Sequence, residues 1–220
     1  MRDKAQGERY MFVDARSTNN FSMTPTDEEI ILQVQGGDRN KYVVLFDRYY
    51  ARVESYARRQ IHHAETARDI ASETFLRAFR NVDSFRVGEN ISYLGYLLFI
   101  CRRLVLTERA RQHTNPIYSL EDSPGEVERL TDIAELPLAQ LLEEERHAMI
   151  QEAMRCLPEA DREIIHLAFE RDLSRRDIVT IMDKPSVSAV TSHLYRAMQK
   201  LKSIVVRQGY FAGEYETTRK

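Results

Sequence analysis

Apolar residues recur along most of this chain at intervals of three and four, the spacing that gives a helix one buried stripe. The first such stretch comes after Thr24-Pro25-Thr26-Asp27-Glu28-Glu29, which offers a cap and first-turn acids, and it stops at Gly36-Gly37. Between Asp38 and Ile61, Tyr42, Leu45, Phe46, Tyr49, Val53, Tyr56 and Ala57 fall on one stripe. A third helix is predicted from about Glu65 to Val82, with Ala67, Ile70, Ala71, Phe75, Ala78 and Phe79 inward. After the loop DSFRVGEN, a fourth from about Asn90 to Arg111 buries Leu94, Leu97, Leu98, Cys101, Leu104 and Val105. Four such stripes can bury one another, which predicts an all-α domain.

The pattern then breaks. NPIYSLEDSPGEVERLTDIAELPLAQ holds three prolines, a Pro-Gly pair and mostly acidic charge, the composition of a linker. Beyond Leu141 the helical spacing returns through Leu142, Met149, Ile150, Ala153 and Leu157, and Pro158 opens another helix. No alternating strand pattern and no internal repeat occurs. The expected organisation is a flexible extension (1–23), a four-helix domain (24–111), an acidic linker (112–140), a second small helical domain (141–207) and a tail (208–220).

The second domain contains a helix pair. Ser174 can cap the first helix, with Asp177 three positions on as its capping-box partner, and Ile178, Ile181 and Met182 share a face. Pro185 forces a turn at DKPS, and Ser186 can cap the second helix. Val190, Leu194, Ala197, Leu201 and Ile204 then form one stripe. Ser188, Ser192, Tyr195, Arg196 and Gln199 lie opposite, with Thr191 at the edge and Lys200 adding charge. A stripe that anchors and a small polar face that can enter a major groove make a helix-turn-helix, with Arg175 and Arg176 placed for the phosphate backbone. An ordinary helical hairpin with a solvated outer face fits the pattern too.

Composition narrows the classes. The 220 residues carry a formal charge of −2, so any nucleic-acid binding must come from local patches and not from a global basic field. Cys101 and Cys156 are far apart in sequence and form no CxxC pair, which argues against a zinc cluster or a structural disulfide. The longest apolar run, YLGYLLFIC, is far short of a membrane span, and the N-terminus lacks a signal-peptide core. A cytoplasmic protein is expected, without membrane insertion. No Walker loop, catalytic triad or metal motif is present in the sequence, so neither enzymatic activity nor a cofactor is expected.

The fourth helix carries chemistry of its own. Opposite its core stripe lie Tyr96, Phe99, Arg103 and Leu106, with Arg102 nearby and Arg109 further on. Aromatics interleaved with arginines suit unpaired bases, although Phe99 and Leu106 packing on a neighbouring helix explains those two positions equally well. In the preceding loop, Gly88 allows a tight turn, and Ser84 and Asn90 offer hydrogen bonds to a base edge.

LPEADREIIHLAFERDLSRRDIVTIM, continued by VTSHLYRAMQKL, resembles the promoter-reading C-terminal domain of bacterial sigma factors. GDRNKYVVLFDRYY, ARDIASETFLRAFRNVDSF and YLLFICRRLVLTERAR resemble, in order, the family's first conserved helix, its polymerase-docking helix and its promoter-melting helix. Two domains and a short tether resemble the minimal, extracytoplasmic-function type.

The resemblance implies a transcription initiation factor whose partners are core RNA polymerase, promoter DNA and an anti-sigma factor. It implies that Asp69, Ser72, Glu73 and Arg77 meet the polymerase. It implies that Ser84, Phe85, Arg86, Asn90, Tyr93, Tyr96, Arg102, Arg103 and Arg109 meet the −10 element. The −35 element falls to Arg175, Arg176, Ser186, Ser188, Thr191, Ser192, Tyr195, Arg196, Gln199 and Lys200. The chain departs from the family at Tyr96, where Trp is usual, and at Asp183, where the turn usually has Gly; Thr191 and His193 replace commonly basic residues. These departures motivate an alternative, a sigma-like decoy that binds a regulator without reading DNA.

Overall fold

The computed structural model describes residues 25–61, 63–86, 88, 91–114 and 138–207, with side chains in the last segment from residue 145 onward. Among them are eight α-helices and no strand: α1 (Asp27–Gln35), α2 (Tyr42–Gln60), α3 (Ala64–Arg80), α4 (Tyr93–Thr114), α5 (Leu138–Arg155), α6 (Glu159–Phe169), α7 (Arg175–Ile181) and α8 (Val187–Arg207). The N-terminal extension, Asn90, the linker residues 115–137 with their acids, and the tail lie outside the described residues.

Local chemistry sets the helix ends. Thr26 and Glu29 cap α1 reciprocally, the Glu29 amide donating to Thr26 Oγ1 at 3.3 Å and the Thr26 amide to Glu29 Oε2 at 2.9 Å. Gly37, at φ +109°, reverses the chain where a side chain would be strained. A single 3₁₀ turn, Arg39–Lys41, leads into α2, and another, Val82–Ser84, comes after α3. The fourth helix begins at Tyr93 instead of Asn90, because Ser92 is its cap: Gly95 N–H donates to Ser92 Oγ at 3.0 Å.

In the first bundle α2 packs on α3 and α4 through Leu45, Val53, Ala57, Ala67, Ala71, Ala78, Leu97 and Cys101, all fully buried. The alanines of α3 let its backbone approach both neighbours. In the second bundle α6, α7 and α8 enclose Ile164, Leu167, Ile178, Ile181, Val190 and Ala197.

The two bundles are pressed together. At Gly95 in α4 a Cβ atom would meet Asp177 Oδ1 of α7 at 2.7 Å, so only glycine permits this approach. Elsewhere long side chains span the gap, and almost every one is an arginine of the first bundle meeting an acid of the second. Arg52 binds Glu170 at 2.9 Å and Asp172 at 3.1 Å, and also donates to the Arg171 carbonyl. Glu163 accepts from Tyr56 Oη at 2.5 Å and from Arg102 Nε at 2.9 Å. Arg109 pairs with Glu159. No described helix is long and apolar enough to cross a membrane.

Candidate nucleic-acid and protein interfaces

The helix-turn-helix forms as its residues dictate. Ser174 Oγ accepts from the Asp177 amide at 3.1 Å, and Asp177 Oδ2 from the Ser174 amide at 2.7 Å. Asp183 takes the left-handed conformation, φ 51°, which lets the Lys184 amide reach the Val179 carbonyl at 2.9 Å and close α7. Aspartate tolerates that region better than most residues, so the turn forms without the family's glycine. Ser186 then caps α8, accepting from the Ala189 amide at 3.1 Å, which accounts for its hydroxyl.

One face of α8 is open. Ser188, Thr191, Ser192, Tyr195, Arg196 and Gln199 are all exposed, Tyr195 by 66%. The Thr191 hydroxyl bonds back to the Val187 carbonyl at 3.0 Å and so presents its methyl more than its oxygen. Arg175 and Arg176 are exposed at the start of α7. Lys200 differs: its ammonium is held by Asp161 Oδ2 at 2.5 Å, although its stem is half exposed.

On α4, Tyr96, Phe99, Arg103 and Leu106 remain at least partly accessible, and the Arg103 guanidinium lies 4.8 Å over the Phe99 ring. Phe85 packs against Tyr96 with centroids 5.0 Å apart and ring planes tilted by 42°, joining the loop to the helix face. Ser84 and Arg86 are exposed beside it. The loop base is held by Gln35, which donates to the carbonyls of Val82 and Phe85 at 2.7 and 2.8 Å. Periodicity gives no sign of that role; its only mark is an amide directly before Gly36-Gly37.

Tyr93 is a correction. It is 3% exposed, and its hydroxyl donates to Tyr42 Oη at 2.9 Å, which in turn donates to the Phe75 carbonyl at 3.1 Å. Burial pushes the Tyr42 phenol up to about 12 and the Tyr93 phenol higher still. This pair is a satisfied core network, and in this structure the Tyr93 side chain is closed to DNA. Its spacing of four and eight residues from Leu97 and Cys101 sets it on the core stripe of α4, a signal already present in the sequence.

Arg102 and Arg109 are half-buried between the bundles. Arg102 serves Glu163, while Arg109 serves Glu159 and donates to the Gln60 carbonyl at 2.6 Å. A cleft of about 260 Å³ between Tyr56, Gln60, Arg102, Arg109, Glu159 and Glu163 marks where these side chains bridge a gap.

The outer side of α3 presents Asp69, Ser72 and Arg77 exposed, with Glu73 bound to Arg77 Nε at 2.7 Å. Leu76 stands among them, 42% exposed. It adds an apolar contact area to an otherwise polar face. Sequence periodicity does not single it out, because it belongs to no inward stripe.

The family model described as Sigma-70 region 2 matches residues 45–114, and that of Sigma-70, region 4, matches residues 147–201. These regions coincide with the first bundle from α2 onward and with the helix-turn-helix bundle. The chain is 29% identical over 180 residues to the RNA polymerase sigma-H factor of Pseudomonas aeruginosa, covering 80% of this chain and 91% of that one. It is 28% identical over 181 residues to the ECF RNA polymerase sigma-E factor of Haemophilus influenzae, covering 81% and 94%. In fold it is similar to the sigma factor RpoE of Bartonella quintana solved with the anti-sigma factor NepR, at a TM-score of 0.56, 17% identity, and coverage of 75% of this chain and 96% of that one. The chain belongs to the sigma-70 family of RNA polymerase sigma factors, transcription initiation factors, and within it to the extracytoplasmic-function type.

Proposed function

We propose that this sigma factor docks on core polymerase through the outer face of α3, Asp69, Ser72, Glu73 and Arg77 around Leu76. The loop residues Ser84, Phe85, Arg86 and Asn90 and the α4 face of Tyr96, Phe99 and Arg103 take the melted −10 strand. The exposed face of α8, with Arg175 and Arg176 on the backbone, reads the −35 element. Stacking of an unpaired base on an aromatic ring is worth about 1–3 kcal/mol, so two or three such contacts offset much of the unpairing cost without nucleotide hydrolysis. The chain therefore needs no catalytic centre and acts in the cytoplasm, where polymerase and DNA are found. Arg102 and Arg109 join the −10 contact once the bundles separate.

The observation that carries this reading is that one chain holds two accessible faces of different chemistry, flat aromatic and cationic on α4, small and hydrogen-bonding on α8. The open α8 face favours promoter reading over a decoy role. An anti-sigma factor is proposed as the regulatory partner, supported by the Bartonella relative's complex.

The test is reconstitution with core polymerase on a library of promoter sequences. A stable complex with defined start sites upholds the proposal, and the absence of both overturns it. Glu73→Lys is expected to weaken polymerase capture with the fold unchanged. Arg196→Ala is expected to weaken promoter binding by about 1–3 kcal/mol if it makes a bidentate base contact.

A further inference from the structure

Asp161 lies in the first turn of α6, 5% exposed, and both of its oxygens are engaged within the protein. Oδ1 meets His193 Nε2 at 2.8 Å and Oδ2 meets Lys200 Nζ at 2.5 Å, so each oxygen takes one basic group from α8. Burial works to raise this carboxyl, but Lys200 and His193 outweigh it and hold it below the usual carboxylate range. Among the described residues His193 Nδ1 is buried with no partner, and the imidazole's one polar contact is Asp161.

His193 and Lys200 are seven residues apart, which on a straight helix leaves them within about 20° of the same azimuth. Between them Ala197 is fully buried, bringing α8 close to α6. Two bonds at one azimuth, two turns apart, resist rotation of α8 about its own axis. Hydrophobic packing through Val190, Leu194 and Leu201 is less directional and constrains that rotation less sharply than the two bonds. A side-chain tip sits about 5–6 Å from the helix axis, so a rotation of about 20° displaces it by about 2 Å. Hydrogen bonds to base edges tolerate only a few tenths of an ångström around 2.9 Å.

We propose that Asp161 is a specificity-determining positioning residue, which fixes the rotational register of α8 and hence which base edges Ser188, Ser192, Tyr195, Arg196 and Gln199 can meet. Lys200 belongs to this pin, not to the phosphate contacts. The proposal rests on α8 reading the −35 element.

The experiment uses holoenzyme reconstituted from core polymerase and the full chain. It measures affinity for a promoter with an intact −35 element and for one with that element substituted, across a range of salt. Asp161→Ala is expected to lower the ratio of the two affinities at least tenfold. Its affinity for the substituted promoter should hold or rise, because the Lys200 ammonium is released. Lys200→Met, which leaves the His193 bond in place, should also lower the ratio while leaving the salt dependence at the wild-type slope. If Lys200 is instead a phosphate contact, Lys200→Met will keep the ratio and reduce the slope by about one, and the proposal falls. Should Asp161→Ala not fold, Lys200→Met alone decides. A wild-type holoenzyme indifferent to the −35 substitution defeats the −35 reading itself, a result distinct from a discriminating wild type whose variants discriminate equally well.

Discussion

Asp177 Oδ1 accepts the Ser92 amide at 2.7 Å across the two bundles, while its Oδ2 completes the capping box of its own helix. One carboxylate therefore serves the starts of α4 and α7 together. The approach depends on Gly95, where a methyl group would meet Asp177 Oδ1 at 2.7 Å and Ile91 Cγ1 at 2.8 Å. Gly95→Ala gains about 1 kcal/mol of helix propensity but overpacks this junction by about 1–3 kcal/mol. The expected outcome is a looser molecule: a larger radius of gyration in small-angle scattering and a lower melting temperature. A higher melting temperature with unchanged dimensions would show that propensity alone governs the site.

Arg102 and Glu163 form the most enclosed ion pair between the bundles, their side chains 21% and 8% exposed. Tyr56 also donates to Glu163, and burial together with that carboxylate drives its phenol well above the ordinary value, so it remains a donor. Removing Arg102 leaves a buried carboxylate with the Tyr56 hydrogen bond but without its directly paired cation, Arg109 acting on it only through space. Arg102→Met is expected to cost about 3 kcal/mol, and Arg102→Met with Glu163→Gln distinctly less than the two single changes together. Urea unfolding of the four proteins measures the coupling. Additive losses would show that the pair does not interact.

Most of the core was legible in the sequence, because a 3.6-residue period says which residues face inward without reference to partners. Leu45, Val53, Ala71, Leu97, Ile178, Val190 and Ala197 are all buried as the stripes predict. Ile150 is the exception: its spacing places it inward, yet it is 48% exposed, since on the helical wheel it falls at the lateral edge of the stripe, about 100° from Met149. The site was half legible. The open face of α8 comes from the wheel, as does the inward position of Tyr93, but Arg102, Arg109 and Lys200 could be read only as cationic. What each does depends on Glu163, Glu159 and Asp161, which lie 39 to 61 residues away along the chain in all three cases. Charge type is local information, whereas the identity of the counter-charge is tertiary.

His166 titrates with a consequence for stability. Burial, with Arg59 and Arg162 nearby, lowers it from 6.5 to about 4. The folded protein therefore holds it neutral where the unfolded chain begins to take a proton. Its contribution is fully present above pH 6.5 and is lost as the pH falls from 6.5 towards 4. Allowing for its partial exposure, the loss is on the order of 2 kcal/mol. His166→Leu should flatten the stability profile across that window, as read by urea midpoints at about pH 7 and about pH 5. An equal decline in both proteins would assign the acid sensitivity to other groups.

Asp183 gives the sharpest test of the helix-turn-helix turn. Its φ of 51° lies in the left-handed region, and its conformation lets the Lys184 amide close α7. Glycine adopts this geometry without a Cβ penalty but loses more chain entropy on folding, so the two effects oppose each other. Asp183→Gly is therefore expected to change stability by less than about 1 kcal/mol in either direction. Asp183→Val has no compensation, since a β-branched residue is disfavoured both by its Cβ and by its rotamers; a loss of about 1–2 kcal/mol is expected. Because the turn sets the angle between α7 and α8, the Val variant should also lose promoter affinity at temperatures where it remains folded, whereas the Gly variant should keep it. Equal stability of the Gly and Val variants would mean that residue 183 does not hold the left-handed conformation in solution.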